Sequence, residues 1–130
     1  MKQGEIWLIN LDPTIGAEMK KTRPAVIVND DILGKLPLKI IVPLTDWKEH
    51  YNTAPWMITI NPSHQNGLTK KSSIDCFQIR SVSETRLIKR IGNIDLTEII
   101  QVQEGIIKVI GYNKLYANLL TNPINYDIKN

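Results

Sequence analysis

The sequence contains a single cysteine, Cys76, among its 130 residues. One cysteine cannot form an internal disulfide, and its apolar surroundings predict burial, so we expect a reducing compartment. No apolar run approaches the roughly 20 residues that cross a bilayer. Residues 1–10 also lack the long apolar segment of a signal peptide. These absences predict a cytoplasmic protein with no membrane partner.

The common sequence signatures of enzymes are also missing. No Cys or His cluster has metal-ligand spacing, no glycine-rich loop follows a strand, and no Gly-x-Ser-x-Gly motif occurs. His50 and His64 stand alone in polar segments, where solvated histidines are expected. The sequence therefore predicts no metal site and no cofactor.

Neither sign of charge dominates. Sixteen Lys and Arg against thirteen Asp and Glu give a net charge of +3, which does not by itself indicate nucleic-acid binding. At 130 residues, of which 42% are hydrophobic, the chain fits one domain with a modest core. There is no room for a second catalytic domain.

The first two-thirds of the chain reads as short strands separated by turn residues. Pro43 lacks an N–H, which favours a position near a sheet edge or a strand end. In the segment 72–82, alternation places Gln78 and Arg80 on one face of a strand. Spacing of this kind indicates a compact, strongly bent sheet or a small barrel. The six predicted strands are 4–11, 25–28, 39–44, 55–60, 72–82 and 88–91.

A helical period begins at Asp95. Apolar residues recur at three- and four-residue intervals up to Ile110, as on one face of an amphipathic helix. Asp95 and Glu98 have the spacing of a capping box, and Gly111 can supply the left-handed exit. The helix is predicted over about 95–111. Residues 113–130, which include Asn122-Pro123, are predicted to form a polar, loosely ordered tail, with one more helical turn considered around 114–120.

Short blocks in a fixed order resemble the MazF/PemK family of growth-inhibiting toxins. The resemblance extends from residue 4 to residue 112, which we take as the toxin domain (1–112), followed by the tail. The blocks are Gly4-Glu5-Ile6-Trp7, Leu11-Asp12-Pro13-Thr14 with Gly16 and Glu18, Thr22-Arg23-Pro24-Ala25-Val26-Ile27-Val28, Val42-Pro43-Leu44-Thr45, Asn66-Gly67-Leu68, Gln78-Ile79-Arg80-Ser81 and Arg90-Ile91-Gly92.

This resemblance implies a fold and an activity. The fold is mainly β with one C-terminal helix, an SH3-like small β-barrel of the MazF, Kid and CcdB plasmid-maintenance toxin type, assembled as a homodimer. The activity is that of a type II toxin-antitoxin endoribonuclease, which cuts single-stranded RNA at a short sequence without a metal. The RNA's own 2′-hydroxyl attacks, leaving a 2′,3′-cyclic phosphate and a 5′-hydroxyl.

Such chemistry needs a base, an acid and a cation that neutralises the charge gained by the phosphate. Arg23 matches the family's catalytic arginine, and its guanidinium can donate two hydrogen bonds to a phosphate. Thr45 matches the second catalytic position, where a hydroxyl donates to the scissile phosphate. Glu18 is the best carboxylate candidate for the base. The sequence departs from family patterns at Ala17 and Phe77, where some members carry histidine or serine and an acidic residue, so the proton-transfer roles stay open.

Six further side chains are candidates for RNA contact. A lysine pair beside the catalytic arginine could follow the phosphate backbone, and two tryptophans flanking residues 46–54 could stack unpaired bases. Gln78 and Arg80 could line the RNA groove, or they could form a dimer-interface or surface pair. The candidates are Lys20, Lys21, Trp47, Trp56, Gln78 and Arg80.

The resemblance also implies a partner, a cognate antitoxin whose flexible acidic tail crosses the dimer and covers the RNA groove. Four cations could receive it. The long loop 12–22 is expected to be mobile and to border the site. The four cations are Lys20, Lys21, Arg23 and Arg80.

Two other functions remain open from the sequence. Toxins with the same small barrel inhibit DNA gyrase through a tryptophan-containing helix tip, but no tryptophan follows Trp56 here, which argues against that target. A second alternative is a catalytically weak or inactive family member that only binds RNA or an antitoxin, as the departures at Ala17 and Phe77 would allow.

Overall fold

The computed structural model describes residues 1–121, which form seven β-strands and two α-helices with short 3-10 helices between them. Neither helix in this part of the chain is long and apolar enough to span a membrane. The elements are β1 (Glu5–Asn10), β2 (Thr22–Ile27), β3 (Leu38–Asp46), β4 (Met57–Ile60), β5 (Ser72–Asp75), β6 (Arg80–Ser83), β7 (Leu87–Asn93), α1 (Leu96–Ile110) and α2 (Lys114–Thr121).

The strands form one antiparallel sheet that branches at β3. The path runs β4-β5-β3-β2-β1-β7, and β6 pairs with β3 off this path. Residues 38–41 of β3 pair with β6, whereas residues 44–46 pair with β5. The predicted mainly β fold with a C-terminal helix is confirmed. The small barrel is an open one, because no ladder among the described residues joins β7 back to β4.

β2 begins three residues before the predicted strand. Arg23 therefore lies within the strand, opposite Ile9 of β1, rather than ahead of it. The ladder between β2 and β3 begins only at Ala25, so Pro24 does not interrupt it. This extension places Arg23 on the sheet rather than in the preceding loop.

Pro43 lies inside the central strand, and the prediction of an edge or strand-end position was wrong. It is fully buried opposite Ala25 of β2. On the other side, pairing with β6 ends at Ile41 and pairing with β5 begins at Leu44. The proline occupies the gap between these two partners, where no ladder bond needs its missing N–H.

The predicted strand 72–82 is also wrong, because it is two strands separated by a short 3-10 helix, Cys76–Gln78. The carboxylate of Asp75 accepts a hydrogen bond from the backbone N–H of Phe77 at 3.1 Å. Such a local bond competes with strand pairing and starts the turn. Gln78 and Arg80 therefore do not share the face of one strand, although the turn brings both to the wall of one cavity.

Helix α1 agrees with its prediction at both ends. Asp95 accepts from the N–H of Glu98 at 2.8 Å, and Glu98 accepts from the N–H of Asp95 at 3.0 Å. Gly111 ends the helix in the left-handed conformation at φ 71°. The helix packs on the larger of two core clusters through Val102, whose carbonyl faces the thiol of Cys76 at 3.6 Å. α1 therefore packs directly against the 76–78 turn.

The helical turn considered around 114–120 is present as α2. Asn122-Pro123 lies outside the described residues, and the domain boundary at residue 112 stays a prediction.

Candidate active site

Arg23 and Thr45 line one cavity of about 310 Å³. Arg23 lies near the start of β2, and Thr45 lies near the end of β3, opposite Ser73 of β5. Because β2 and β3 are antiparallel neighbours, the start of β2 and the end of β3 lie side by side at the same end of the strands. The fold thus brings the two predicted catalytic residues together.

The guanidinium of Arg23 is only partly committed to the protein. Its Nε donates to the main-chain carbonyl of Lys20 at 3.1 Å. Its terminal amino groups make no hydrogen bond or ion pair within residues 1–121. Those groups can donate to an anion in the cavity, and two parallel bonds to a phosphate are the favoured geometry.

The rim of this cavity carries one more cation and a carboxylate. Lys21 lines the cavity and has a positive φ of 67°, held by a bond from its N–H to the carboxylate of Asp12 at 3.0 Å. Asp46 also lines the cavity, and its carboxylate lies 3.9 Å from the exposed ammonium of Lys70. The sequence reasoning did not select Asp46, although its position directly after Thr45 was a usable signal.

Glu18 lies in a second, adjoining cavity of about 180 Å³, which Gln78, Arg80 and Phe77 also line. Its carboxylate accepts a hydrogen bond from the N–H of Ile15 at 2.9 Å. The two cavities adjoin along the chain. Pro43 and Met19 line this one, and their near neighbours Leu44 and Lys21 line the cavity of Arg23 and Thr45. The structure therefore places Glu18, the predicted base, in a different cavity from Arg23 and Thr45.

The loop between β1 and β2 is held at both its base and its tip. At the base, Arg86 donates to the carbonyls of Asn10 and Asp12. At the tip, the amide of Gln78 binds the backbone on both sides of Glu18. Lys20, in the same loop, is exposed apart from the carbonyl that receives Arg23.

Neither candidate stacking tryptophan lines either cavity. The Nζ of Lys71 lies 3.8 Å from the ring centroid of Trp47, so one face of that ring is covered. Trp56 packs against the larger core cluster and meets Phe77 edge-on at 5.7 Å between centroids. Trp56 therefore supports the 76–78 turn in this conformation.

Comparison with known proteins identifies the family. The model of the PemK-like, MazF-like toxins of type II toxin-antitoxin systems matches residues 2–110. The chain belongs to this family. It is 30% identical over 112 residues to endoribonuclease MazF9 of Mycobacterium tuberculosis, and the match covers 82% of this chain and 92% of that protein.

Solved structures show the same fold. MazF of Deinococcus radiodurans matches with a TM-score of 0.72 at 18% identity, over 86% of this toxin and 97% of that chain. A mycobacterial endoribonuclease in complex with its cognate antitoxin matches with a TM-score of 0.68 at 14% identity, over 87% and 97%. The expected toxin family and fold are confirmed. The relatives are named endoribonucleases, which confirms the enzyme class over the gyrase alternative.

Asp75 and Cys76 lie outside both cavities, and burial shifts the pKa of each. Burial raises the pKa of the Asp75 carboxyl, although the backbone N–H groups of Phe77 and Gln78 act in the opposite direction. Burial, and then the neighbouring Asp75, raises the pKa of the Cys76 thiol to about 12, so Cys76 is a protonated packing residue. Within residues 1–121, no three His, Cys, Asp or Glu side chains are grouped to hold a metal ion.

Proposed function

We propose that this toxin cleaves single-stranded RNA at a specific short sequence without a metal, through attack of a ribose 2′-hydroxyl on the adjacent phosphorus. The products are a 2′,3′-cyclic phosphate and a 5′-hydroxyl. The observation that carries the proposal is the shared cavity of Arg23 and Thr45, in which the terminal amino groups of the guanidinium have no partner among residues 1–121.

Each of these residues has a role in the proposed reaction. As phosphorus becomes five-coordinate, negative charge grows on the non-bridging oxygens, and Arg23 and Thr45 donate hydrogen bonds to them. A pre-positioned donor of this kind stabilises the transition state by about 3–4 kcal/mol. A carboxylate accepts the proton of the 2′-hydroxyl as the O2′–P bond forms. The P–O5′ bond breaks, and the departing 5′-oxygen takes a proton from that protonated carboxyl or from water. Glu18 is our candidate from the sequence, and Asp46 is the carboxylate that lines the same cavity as Arg23.

The RNA is proposed to cross both cavities. Lys20 and Lys21 lie beside the phosphate-binding pair and follow the backbone, while Gln78 and Arg80 line the adjoining cavity. Stacking of a base on the ring face of Trp47 that Lys71 covers requires Lys71 to move. Trp56 is half-buried, and a base would stack on its accessible part.

A cleavage assay in EDTA tests the proposal. The purified toxin is incubated with a long unstructured RNA, and the cut ends are mapped and their termini identified. We expect cleavage to continue in EDTA and to stop when the target nucleotide carries a 2′-deoxy or 2′-O-methyl group. Cleavage of the 2′-deoxy substrate would instead show a nucleophile from water or protein. A toxin that binds but never cuts this RNA would be the inactive alternative.

We further propose that the toxin forms a homodimer and binds a cognate antitoxin through an acidic flexible tail. The antitoxin complex of the mycobacterial relative supports this partner. Lys20, Lys21, Arg23 and Arg80 are the cations proposed to receive the tail, and RNA would compete for them. Titration of an acidic cognate peptide against labelled 2′-O-methyl RNA should show competition, with both affinities falling as salt rises. Saturable binding of both together would exclude a shared groove.

A further inference from the structure

The side-chain amide of Gln78 binds the main chain on both sides of Glu18. Its Oε1 accepts a hydrogen bond from the N–H of Met19 at 2.9 Å. Its Nε2 donates to the carbonyl of Ala17 at 3.4 Å. Gln78 therefore brackets one residue of the loop, and that residue is the proposed proton acceptor.

Only one orientation of the amide makes both bonds. If oxygen and nitrogen were exchanged, an acceptor would face the carbonyl of Ala17 and a donor would face the N–H of Met19. The backbone of the loop thus fixes the amide, and the amide in turn fixes the backbone.

The backbone that carries Gln78 is held in place by a helix cap and by core packing. Gln78 ends the 3-10 helix that Asp75 caps, and the preceding Cys76 is fully buried beneath α1. Among the hydrogen bonds of the described residues, only the two from Gln78 connect residues 13–19 to another element. The side chain of Met19 adds apolar contact with the smaller core cluster. The tip of the loop is therefore oriented mainly by one amide.

The same segment is held from the other side by the catalytic candidate. Arg23 bonds the carbonyl of Lys20, the next residue after Met19. Residues 17–20 thus lie between two side chains, one from each cavity, and Glu18 lies inside this short bracketed segment.

We propose that Gln78 is a positioning residue that holds Glu18 in place for RNA cleavage, rather than a residue that reads the RNA. This inference rests on the proposed ribonuclease activity and on the role of Glu18 in it. Oε1 of Gln78 accepts one bond from Met19, and one Nε2 hydrogen is donated to Ala17, so half of the four hydrogen bonds that this amide can make serve the loop.

Hydrogen exchange tests the clamp without any substrate. In Gln78→Ala, we expect the exchange rate of the Met19 amide to rise about tenfold, and trypsin to cut faster after Lys20 and Lys21. Gln101→Ala, an exposed glutamine on α1, is the matched control and should change neither rate. If exchange and proteolysis stay at the parent's rates in Gln78→Ala, the clamp is refuted.

Kinetics test whether the clamp acts through Glu18. Gln78→Ala should lower kcat about tenfold and leave the affinity for 2′-O-methyl RNA within twofold of the parent. In a Glu18→Gln background, the same substitution should have no further effect, because the group that Gln78 positions is gone. Weaker binding of the uncleavable RNA, with a full additive loss in that background, would show that Gln78 contacts RNA and would overturn the proposal.

A second variant covers the case in which Gln78→Ala does not fold. Gln78→Glu keeps an acceptor for Met19 and loses the donor to Ala17, so an intermediate exchange rate and an intermediate kcat are expected. If the parent toxin cleaves no RNA, the proposed function fails, and the exchange measurement still decides whether Gln78 holds the loop.

Discussion

Arg23 donates from Nε to the carbonyl oxygen of Lys20 at 3.1 Å, which leaves its two terminal amino groups without partners in the described residues. One planar group can therefore hold the loop and bind a phosphate at the same time. The ammonium of a lysine is a single point charge that cannot reproduce this fork. For the proposed reaction, Arg23 therefore needs the shape of its guanidinium as well as its charge.

Replacement of Arg23 should therefore abolish most cleavage even when the charge is kept. We expect kcat/KM on a fluorescent RNA to fall about 100- to 1,000-fold in Arg23→Ala, with a loss in Arg23→Lys of similar order. Thr45→Ala should lose less. Arg90→Ala removes the same charge from β7, outside both cavities, and should retain the parent's rate. Parental cleavage by Arg23→Ala would end its assignment as catalytic.

The proton acceptor can be identified by comparing Glu18→Gln with Asp46→Asn. Both changes remove a carboxylate with little change in shape, and the two residues line adjoining cavities. The variant that lacks the acceptor should lose the acid limb of its rate–pH profile, because that limb reports the titrating base. The other variant should keep the limb. Two retained limbs would mean that neither carboxylate accepts the proton.

Asp75→Asn should stabilise the toxin at neutral pH. Burial raises the pKa of this carboxyl above its ordinary 3.8, so the folded state holds the proton to higher pH than the unfolded chain does. Stability is consequently lost as pH rises from 3.8 through the folded-state pKa. Asparagine keeps an oxygen for the N–H of Phe77 and has no charge to bury. Its advantage in free energy of unfolding should be present at pH 7 and vanish below pH 3.8.

Asp75→Ala is the matched control for that experiment. It removes the charge together with the acceptor that caps the 3-10 helix, and we expect a loss of about 1 kcal/mol relative to Asp75→Asn. Denaturant unfolding across this pH range measures both variants. Equal destabilisation of the two at pH 7 would contradict the role of burial.

Gly105 should tolerate no side chain while Cys76 is present. A Cβ at Gly105 would lie 2.7 Å from the sulfur of Cys76, so α1 would have to move away from the 76–78 turn. We expect Gly105→Ala to lower the free energy of unfolding by about 1–3 kcal/mol. The double variant Cys76→Ala with Gly105→Ala should lose less than the sum of the two single variants. Additive losses would show that the two residues do not share this contact.

Local signals in the sequence were sufficient for the elements that depend on neighbouring residues. Asp95, Glu98 and Gly111 define α1 because caps involve residues only a few positions apart. The prediction of one strand over 72–82 was wrong because the alternation of residues does not show that the Asp75 carboxylate accepts a hydrogen bond from the N–H of Phe77. The predicted position of Pro43 was wrong because the gap beside β3 depends on where β5 and β6, which are distant in sequence, stop pairing with it.

In the candidate site too, local sequence signals identified some residues, and contacts between distant residues could not be predicted. The blocks that resemble MazF/PemK toxins marked Arg23 and Thr45, and the antiparallel pairing of β2 and β3 explains why the two share a cavity. The strand position predicted for Gln78 makes it a candidate for RNA contact or for a dimer-interface or surface pair. Its bonds to Ala17 and Met19 join residues about 60 positions apart, and neither spacing nor composition carries that information.

The division of β3 between two partners has a consequence for how such toxins can diverge. Thr45 pairs with β5. The first residue of β6, Arg80, pairs with Ile41 of β3. A change in the turn that links β5 to β6 can therefore alter one cavity while the other keeps its strand pairing. Under the proposed function, natural variation in this turn changes which RNA sequence is bound and leaves the strand pairing that holds Arg23 near Thr45 unchanged.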